Sequence, residues 1–491
     1  MKPTGAIDDG EVQAILERVR ARVAPPAAPQ PAAPVKVDGN AAAPTGEGAG
    51  VFASVDAAVT AADRAQRRYA DLGLDARRQV IDAVRAAMRA AAAELGRLAH
   101  QETGLGRSDD KRLKNLLVTE RTPGPEELVP EVVTGDGGMT VTEYAPWGVI
   151  GSITPTTNPT ATIINNTIAA LAAGNAVVFN PHPAARRVSA DNVRLLNRAI
   201  VAAGGPPNLV ATIPEPTIET ARELMHHRGV RLLLVTGGGA VVREALRTDK
   251  RAITAGPGNP PVVVDETADL ELAAREIVRG ASFDNNVICT DEKEVIAVAA
   301  VADDLLRGMA RVGAVVVSAE QLAKLEKVIF ESVGEGREPG KPGTIDKAWI
   351  GKNAGAILGQ IGVRAGDDVR LVVAEVPAAH PLVWTEQMMP VLPVVRVGNV
   401  DEAIDLAVRA EHGFRHTAAI YSRNVDTITR MARAMNCSIF VANAATLAGL
   451  GAGGEGFTSF SIATPTGEGL TRPRTFSRLR RLTVAGALRI T

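Results

Sequence analysis

The chain has 491 residues, 46% of them hydrophobic and 22% charged, enough to bury more than one core and too many for a single compact domain. Its 54 Lys and Arg nearly cancel its 55 Asp and Glu, so the net charge of -1 offers no positive field to nucleic acid or an anionic membrane. Two cysteines, Cys289 and Cys437, are too few for a disulfide framework or a multi-cysteine zinc site, and no apolar run reaches the roughly 18 to 20 residues of a membrane span.

Between Asp8 and Val23, the residues Val12, Ile15, Leu16, Val19 and Val23 recur at three- and four-residue steps, the stripe of an amphipathic helix. Acidic residues open it and arginines close it, the order the helix dipole favours. Residues 24–50 then collapse to Ala, Pro and Gly and read as a linker. A helix on such a tether buries its stripe only by docking, either on its own domain or on another protein.

From residue 51, helices are expected at 51–69 and 76–103. Apolar runs follow at 149–154, 176–180, 210–213 and 232–235, with helical segments at 165–173 and 185–203 among them. A second series starts at Pro261 (VVV, EVIAVA, AVVVS, LVVAEV, VLPVVRV, TAAIYS, SIFVAN), with helices at 270–279 and 401–409. Short Val, Ile and Leu strands alternating with helices are the rhythm of two mostly parallel α/β domains. The terminal SRLRRLTVAGALRIT reads as a lone strand, whose open edge oligomerisation commonly covers.

In VRLLLVTGGGAVVREAL an apolar strand runs into Thr236, Gly237 and Gly238 and then a helix, a place where a pyrophosphate can approach bare backbone at a helix N-terminus. The GxGxxG string at Gly449, Gly451 and Gly454 lacks a following helix and reads as a loop. A free cysteine is by default a small buried hydrophobe. Cys289 has the better claim to a cleft, because it shares a polar turn with Asp284, Asn285 and Asn286, whereas Cys437 heads an apolar strand. The seven histidines form no zinc constellation, so no metal is expected, and His412 and His416 read as hydrogen-bonded turn residues.

In chain order, ITPTTNP (153–159), NAVVFNPHPAA (175–185), AGPGNPPVVVD (255–265), GASFDNNVICTDEKEVI (280–296), EHGFRHTAAIYS (411–422) and GLGAGGEGFTSFSIATPTGEGLT (449–471) closely resemble the CoA-acylating aldehyde dehydrogenases of propanediol and ethanolamine utilisation. The resemblance implies an α/β aldehyde dehydrogenase fold in several parts. A targeting helix (1–23) and linker (24–50) precede a Rossmann-like NAD-binding domain over 51–257, which lends 131–143 to an oligomerisation sheet. A catalytic domain over 258–448, a return to the NAD-binding domain over 449–475 and an oligomerisation strand over 476–491 complete it. A homodimer or homotetramer is implied.

The resemblance also assigns chemistry. The Cys289 thiolate attacks the aldehyde carbon, and the Asn158 side chain with the Cys289 backbone N–H holds the oxyanion. Thr154, Pro155, Asn180, Thr236, Gly237 and Gly238 are implied to contact NAD, and Glu386 to bind its nicotinamide-side ribose. Hydrolytic relatives place a glutamate two residues before a Gly-Gly to activate water. Thr254 aligns there in this chain and has no useful basicity, so coenzyme A is expected to collect the acyl group. Asn180 stands where many relatives carry a lysine, which leaves NAD against NADP open. The expected reaction is NAD-linked oxidation of a short aliphatic aldehyde, propionaldehyde before acetaldehyde, to its acyl-CoA. The expected setting is cytoplasmic, in the lumen of a bacterial microcompartment, with residues 8–23 docked on shell or cargo proteins. A hydrolytic dehydrogenase and an inert cargo protein are the alternatives; Thr254 opposes the first and the presence of Cys289 the second.

Overall fold

The computed structural model describes residues 49–332 and 340–489. The helix expected at 8–23, and all but the last two residues of the linker, lie outside the described residues.

Strands β1 (Glu131–Gly135) and β2 (Gly138–Pro146) form an antiparallel hairpin whose two-residue loop is Asp136-Gly137. They are followed by β3 (Val149–Thr154), β4 (Ala176–Pro181), β5 (Val210–Thr212), β6 (Val230–Thr236) and β7 (Arg251–Ala255), which make one parallel sheet in the order β5-β4-β3-β6-β7. Next come β8 (Pro261–Val264), β9 (Glu294–Val298), β10 (Ala314–Val316), β11 (Leu371–Glu375), β12 (Val391–Val397), β13 (Thr417–Tyr421) and β14 (Ile439–Ala442). These form a second parallel sheet in the order β10-β11-β12-β9-β8-β13-β14. A short pair, β15 (Ile462–Ala463) and β16 (Gly469–Leu470), precedes β17 (Ser477–Ala485).

Both large sheets are covered on their two faces, so their strands are continuous apolar runs: β3, β4, β8, β9 and β13 are buried along their whole length. Helix Pro159–Ala172 is buried on every side, which explains why no polar stripe marks it in the sequence. It starts six residues before the expected 165, because Asn158 and Pro159 supply an N-terminal boundary and a first-turn proline. The segment expected to pair with the terminal strand, 131–143, divides at its Asp-Gly turn. Only β2 pairs with β17, and β1 lies on the far side of β2. This three-stranded antiparallel sheet leaves Val132, Val133, Leu479 and Leu482 exposed.

The strand order of the first sheet reverses at β3, whose neighbours are β4 on one side and β6 on the other. In an open parallel sheet the crevice beyond the carboxyl ends of two such strands is where a ligand binds. Thr154 ends β3 and Thr236 ends β6.

Candidate functional site

A cavity of about 580 Å³ opens at that crevice. Its walls come from the C-terminal ends of β3 and β6 and from loops that lead into strands of the second sheet: Gly256 and Pro257 before β8, Cys289 before β9, Glu386 and Met388 before β12. Thr154, Pro155, Asn158, Asn180, Thr236, Gly237, Gly238, Cys289 and Glu386 all line it. Residues spread over more than two hundred positions thus meet in one space. A second cavity of about 690 Å³, with Leu113, Leu117, Val278, Phe283 and Leu447 in its walls, shares Phe460 with the first.

The nucleotide end of the first cavity is bare backbone. A Cβ placed on Gly238 would touch nothing, and the helix Gly239–Leu246 begins there with no side chain capping its free N–H groups. The Thr154 hydroxyl nearby is buried without a partner. Both features suit an anionic ligand with hydroxyl groups, so the residues present fit a dinucleotide. Asn180 is more committed: its Oδ1 accepts from Thr220 Oγ1 at 2.8 Å and its Nδ2 donates to the Thr217 carbonyl.

Cys289 is half-buried and follows three consecutive residues in the left-handed region, Asp284 (φ 45°), Asn285 (φ 54°) and Asn286 (φ 64°). Asp and Asn tolerate that conformation best among residues with a Cβ, at roughly 1 to 2 kcal/mol each. Long-range hydrogen bonds hold all three. Asp284 accepts from Lys111, Lys114 and the Arg107 N–H. Asn285 accepts from Arg107 Nε and donates to the Gly351 carbonyl and Asn353 Oδ1. Asn286 donates to the Ala281 and Glu292 carbonyls. Lys293, fully buried, donates to Asn286 Oδ1, the Asn286 carbonyl and the Ile288 carbonyl, closing the turn that carries the thiol. Only glycine fits at Gly106, where a Cβ would stand 1.9 Å from Asp284 Oδ1.

Burial pushes the Cys289 thiol up to about 12, the Glu386 charge adds to this, and Lys293 partly offsets it. Glu386 is itself raised by burial, while Lys293 and the Gly258 N–H pull it down, the latter donating to Oε1 at 3.3 Å. Gly258 is pinched: a Cβ there would lie 2.5 Å from the Cys289 carbonyl oxygen and 3.0 Å from the His416 ring.

Two residues depart from the sequence reading. Thr254 sits inside β7, buried, its N–H donating to Thr466 Oγ1, and it does not line the cavity. The chain reaches the cavity only after β7 ends, at Gly256 and Pro257. The carboxylates that do line it are Glu386 and Glu244, and Glu244 is paired with Arg222. His412 is a turn residue as read, with Nε2 on the Trp384 carbonyl. His416 is instead fully buried; Nδ1 meets Thr417 Oγ1, Nε2 has no partner, and burial pushes the ring down to about 4. Lys111, Lys114 and Lys293 were not singled out, because a lysine in sequence reads as solvated surface.

Two covered parallel sheets, a cysteine loop and a backbone cradle at a switch point define an α/β enzyme of the nucleotide-binding type. The family model for the aldehyde dehydrogenase family matches residues 48–459, and the chain belongs to that family. It is 54% identical over 442 residues to the acetaldehyde dehydrogenase (acetylating) EutE of Salmonella typhimurium, covering 90% of this chain and 93% of that one. It is also similar to the Rhodopseudomonas palustris propionaldehyde dehydrogenase solved with bound propionyl-CoA (TM-score 0.87, 46% identity, 90% of this chain and 96% of that one). A third likeness is to a propionaldehyde dehydrogenase from the Clostridium phytofermentans fucose utilisation bacterial microcompartment (TM-score 0.86, 43% identity, 90% of this chain and 100% of that one).

Proposed function

We propose that this chain oxidises a short aliphatic aldehyde and transfers the acyl group to coenzyme A through a thioester on Cys289. The observation that carries the reading is the meeting of Cys289, Asn158 and the Thr236–Gly238 turn in one cavity whose only unpaired carboxylate is Glu386. The Cys289 thiol gives up its proton to water and the thiolate forms the bond to the carbonyl carbon, the C=O π pair moving onto oxygen, where Asn158 Nδ2 with the Cys289 N–H receives the developing oxyanion. Thr154, Gly237 and Gly238 hold the dinucleotide phosphates and Glu386 a ribose, and NAD when bound supplies the acceptor for the departing hydride. Met388, Pro257 and Phe460 wall the thioester from bulk water. A second cavity on the other side of Phe460, lined by Leu113, Leu117, Phe283 and Leu447, suits an alkyl chain and is the approach assigned to the aldehyde in this reading.

The sequence put propionaldehyde first. The 54% identity to an acetylating relative, against 46% and 43% to propionaldehyde enzymes, supports acetaldehyde ahead of it. A panel of C2 to C5 aldehydes with NAD and coenzyme A is expected to give the highest kcat/KM at C2 or C3, with acyl-CoA as product. Free acid as the main product would replace this reading with the hydrolytic one.

The setting belongs to the same proposal. The apolar stripe of residues 8–23 on its linker, with the microcompartment origin of one relative, supports encapsulation through shell or cargo proteins. The exposed Val132, Val133, Leu479 and Leu482 support a homo-oligomer built on the three-stranded sheet. Removing residues 1–50 should leave kcat and the oligomeric mass unchanged while dispersing a fluorescent fusion that is otherwise punctate. Unaltered puncta would return the helix to docking on its own domain.

A further inference from the structure

We propose that Lys114 is a positioning residue for the oxyanion site, fixing the Asn158 amide and joining it to the loop that carries Cys289; this rests on the reading of Asn158 given above. Lys114 comes from helix Ser108–Arg121 and is 1% exposed. Its Nζ donates to Asn158 Oδ1 at 2.6 Å, to the Thr157 carbonyl at 3.4 Å and to Asp284 Oδ2. An ammonium has donors only, so it decides the orientation of the amide: Oδ1 faces the lysine and Nδ2 faces away. One Nδ2 hydrogen goes to Thr157 Oγ1 at 3.1 Å, which leaves the other for a ligand oxygen. A cation on the carbonyl side also draws charge through the amide and strengthens that remaining donor.

Charge counting separates this role from plain ion pairing. Asp284 Oδ2 accepts from two buried ammonium groups, Lys111 at 2.9 Å and Lys114. Burial alone would raise the Asp284 carboxyl, but the two lysines outweigh it and hold it below the usual carboxylate range. Asp110, which accepts the Asp284 N–H, is met by Arg370. One lysine therefore suffices to neutralise Asp284, and Lys111 does so without touching Asn158, its other bond going to the Thr157 carbonyl. Lys114 is the second lysine on that carboxylate, and it is the one whose ammonium also bonds Asn158. Through Asp284 the same Nζ reaches the start of the left-handed run that ends three residues before Cys289.

The test is a double-mutant cycle on the full-length enzyme with acetaldehyde, NAD and coenzyme A, read as kcat and KM alongside melting temperature. Lys114→Met should lower kcat roughly 100-fold, the scale of one lost oxyanion donor, with both KM values within about threefold. Combined with Asn158→Ala it should be no slower than Asn158→Ala alone, because the two residues act as one unit. Lys111→Met should cost as much in melting temperature and far less in kcat. If Lys114→Met does not fold, Lys114→Gln carries the same cycle, since a neutral donor keeps the amide oriented; the expected kcat loss is smaller and equally absent on the Asn158→Ala background. Additive losses with Asn158→Ala, or an equal kcat loss in Lys111→Met, would overturn the proposal. Full kcat in Asn158→Ala would instead remove the oxyanion reading on which it stands.

Discussion

Cys289→Ala is expected to lower aldehyde-dependent NADH formation by roughly 10⁴-fold or more, because among the described residues Cys289 is the one thiol that lines the cavity, and the serine and threonine hydroxyls there are weak nucleophiles without an activating base. Cys437→Ala should keep nearly full activity. The Cys437 thiol donates to the Ile439 carbonyl at 3.0 Å, packs against the core of the second sheet, and is pushed up to about 11 by burial. The trapped intermediate gives an independent readout: a quenched reaction should show the acyl mass on the peptide containing Cys289 and on no other. The raised thiol adds a pH signature. With its pKa near 12, the thiolate fraction rises about tenfold per pH unit through neutrality, so iodoacetamide labelling of Cys289 in nucleotide-free enzyme should climb at that slope between about pH 7 and pH 10. Removing the adjacent negative charge with Glu386→Gln lowers the thiol pKa and should speed labelling at each pH in that range. A rate that is flat with pH would mean that the resting enzyme already holds a thiolate.

The second large effect concerns release of the acyl group. Without coenzyme A, the enzyme should produce a burst of about one NADH per Cys289 and then slow by roughly 100-fold or more, the usual contribution of a positioned general base. Adding coenzyme A should restore steady turnover, because a thiol replaces the missing activated water. The geometry behind this is firmer than the single position considered in the sequence. Thr254 is enclosed in β7, and where the chain does reach the cavity it presents Gly256 and Pro257, which have no basic group at all. Glu386 is the one carboxylate in a position to assist water, so steady turnover without coenzyme A that disappears in Glu386→Gln would assign it a hydrolytic role and reverse the reading.

The legible parts of the molecule are those in which one residue type has one physical use. The short β-branched and apolar runs at 149–154 and 232–235, bounded by Gly and Pro, read as strands buried on both faces, and glycines after such a strand offer open backbone to a ligand. The helix Ser108–Arg121 was invisible because it turns polar groups inward: Asp110, Lys111, Lys114, Asn115 and Thr119 are its buried side, the reverse of the pattern that marks a helix against a core. The segment 131–143 reads as one strand, and the hairpin within 131–146 is hidden because its Asp-Gly turn sits between two stretches of equally mixed composition. His416 shows the limit of local reading. Its neighbours spell a turn, while its burial against Gly258 follows from the pairing of β13, which it precedes, with β8, which Gly258 precedes.

The clamp on residues 284–286 has a bearing on biogenesis. Its partners lie at Arg107, upstream by well over a hundred positions, and at Gly351 and Asn353, which leave the ribosome long after the cysteine has emerged. A nascent chain therefore carries Cys289 without the turn that sets it beside Asn158 in the cavity, until later-synthesised segments fold back and fix it. Truncated products should lack that alignment, and separately expressed halves would lose it even where each half stayed compact.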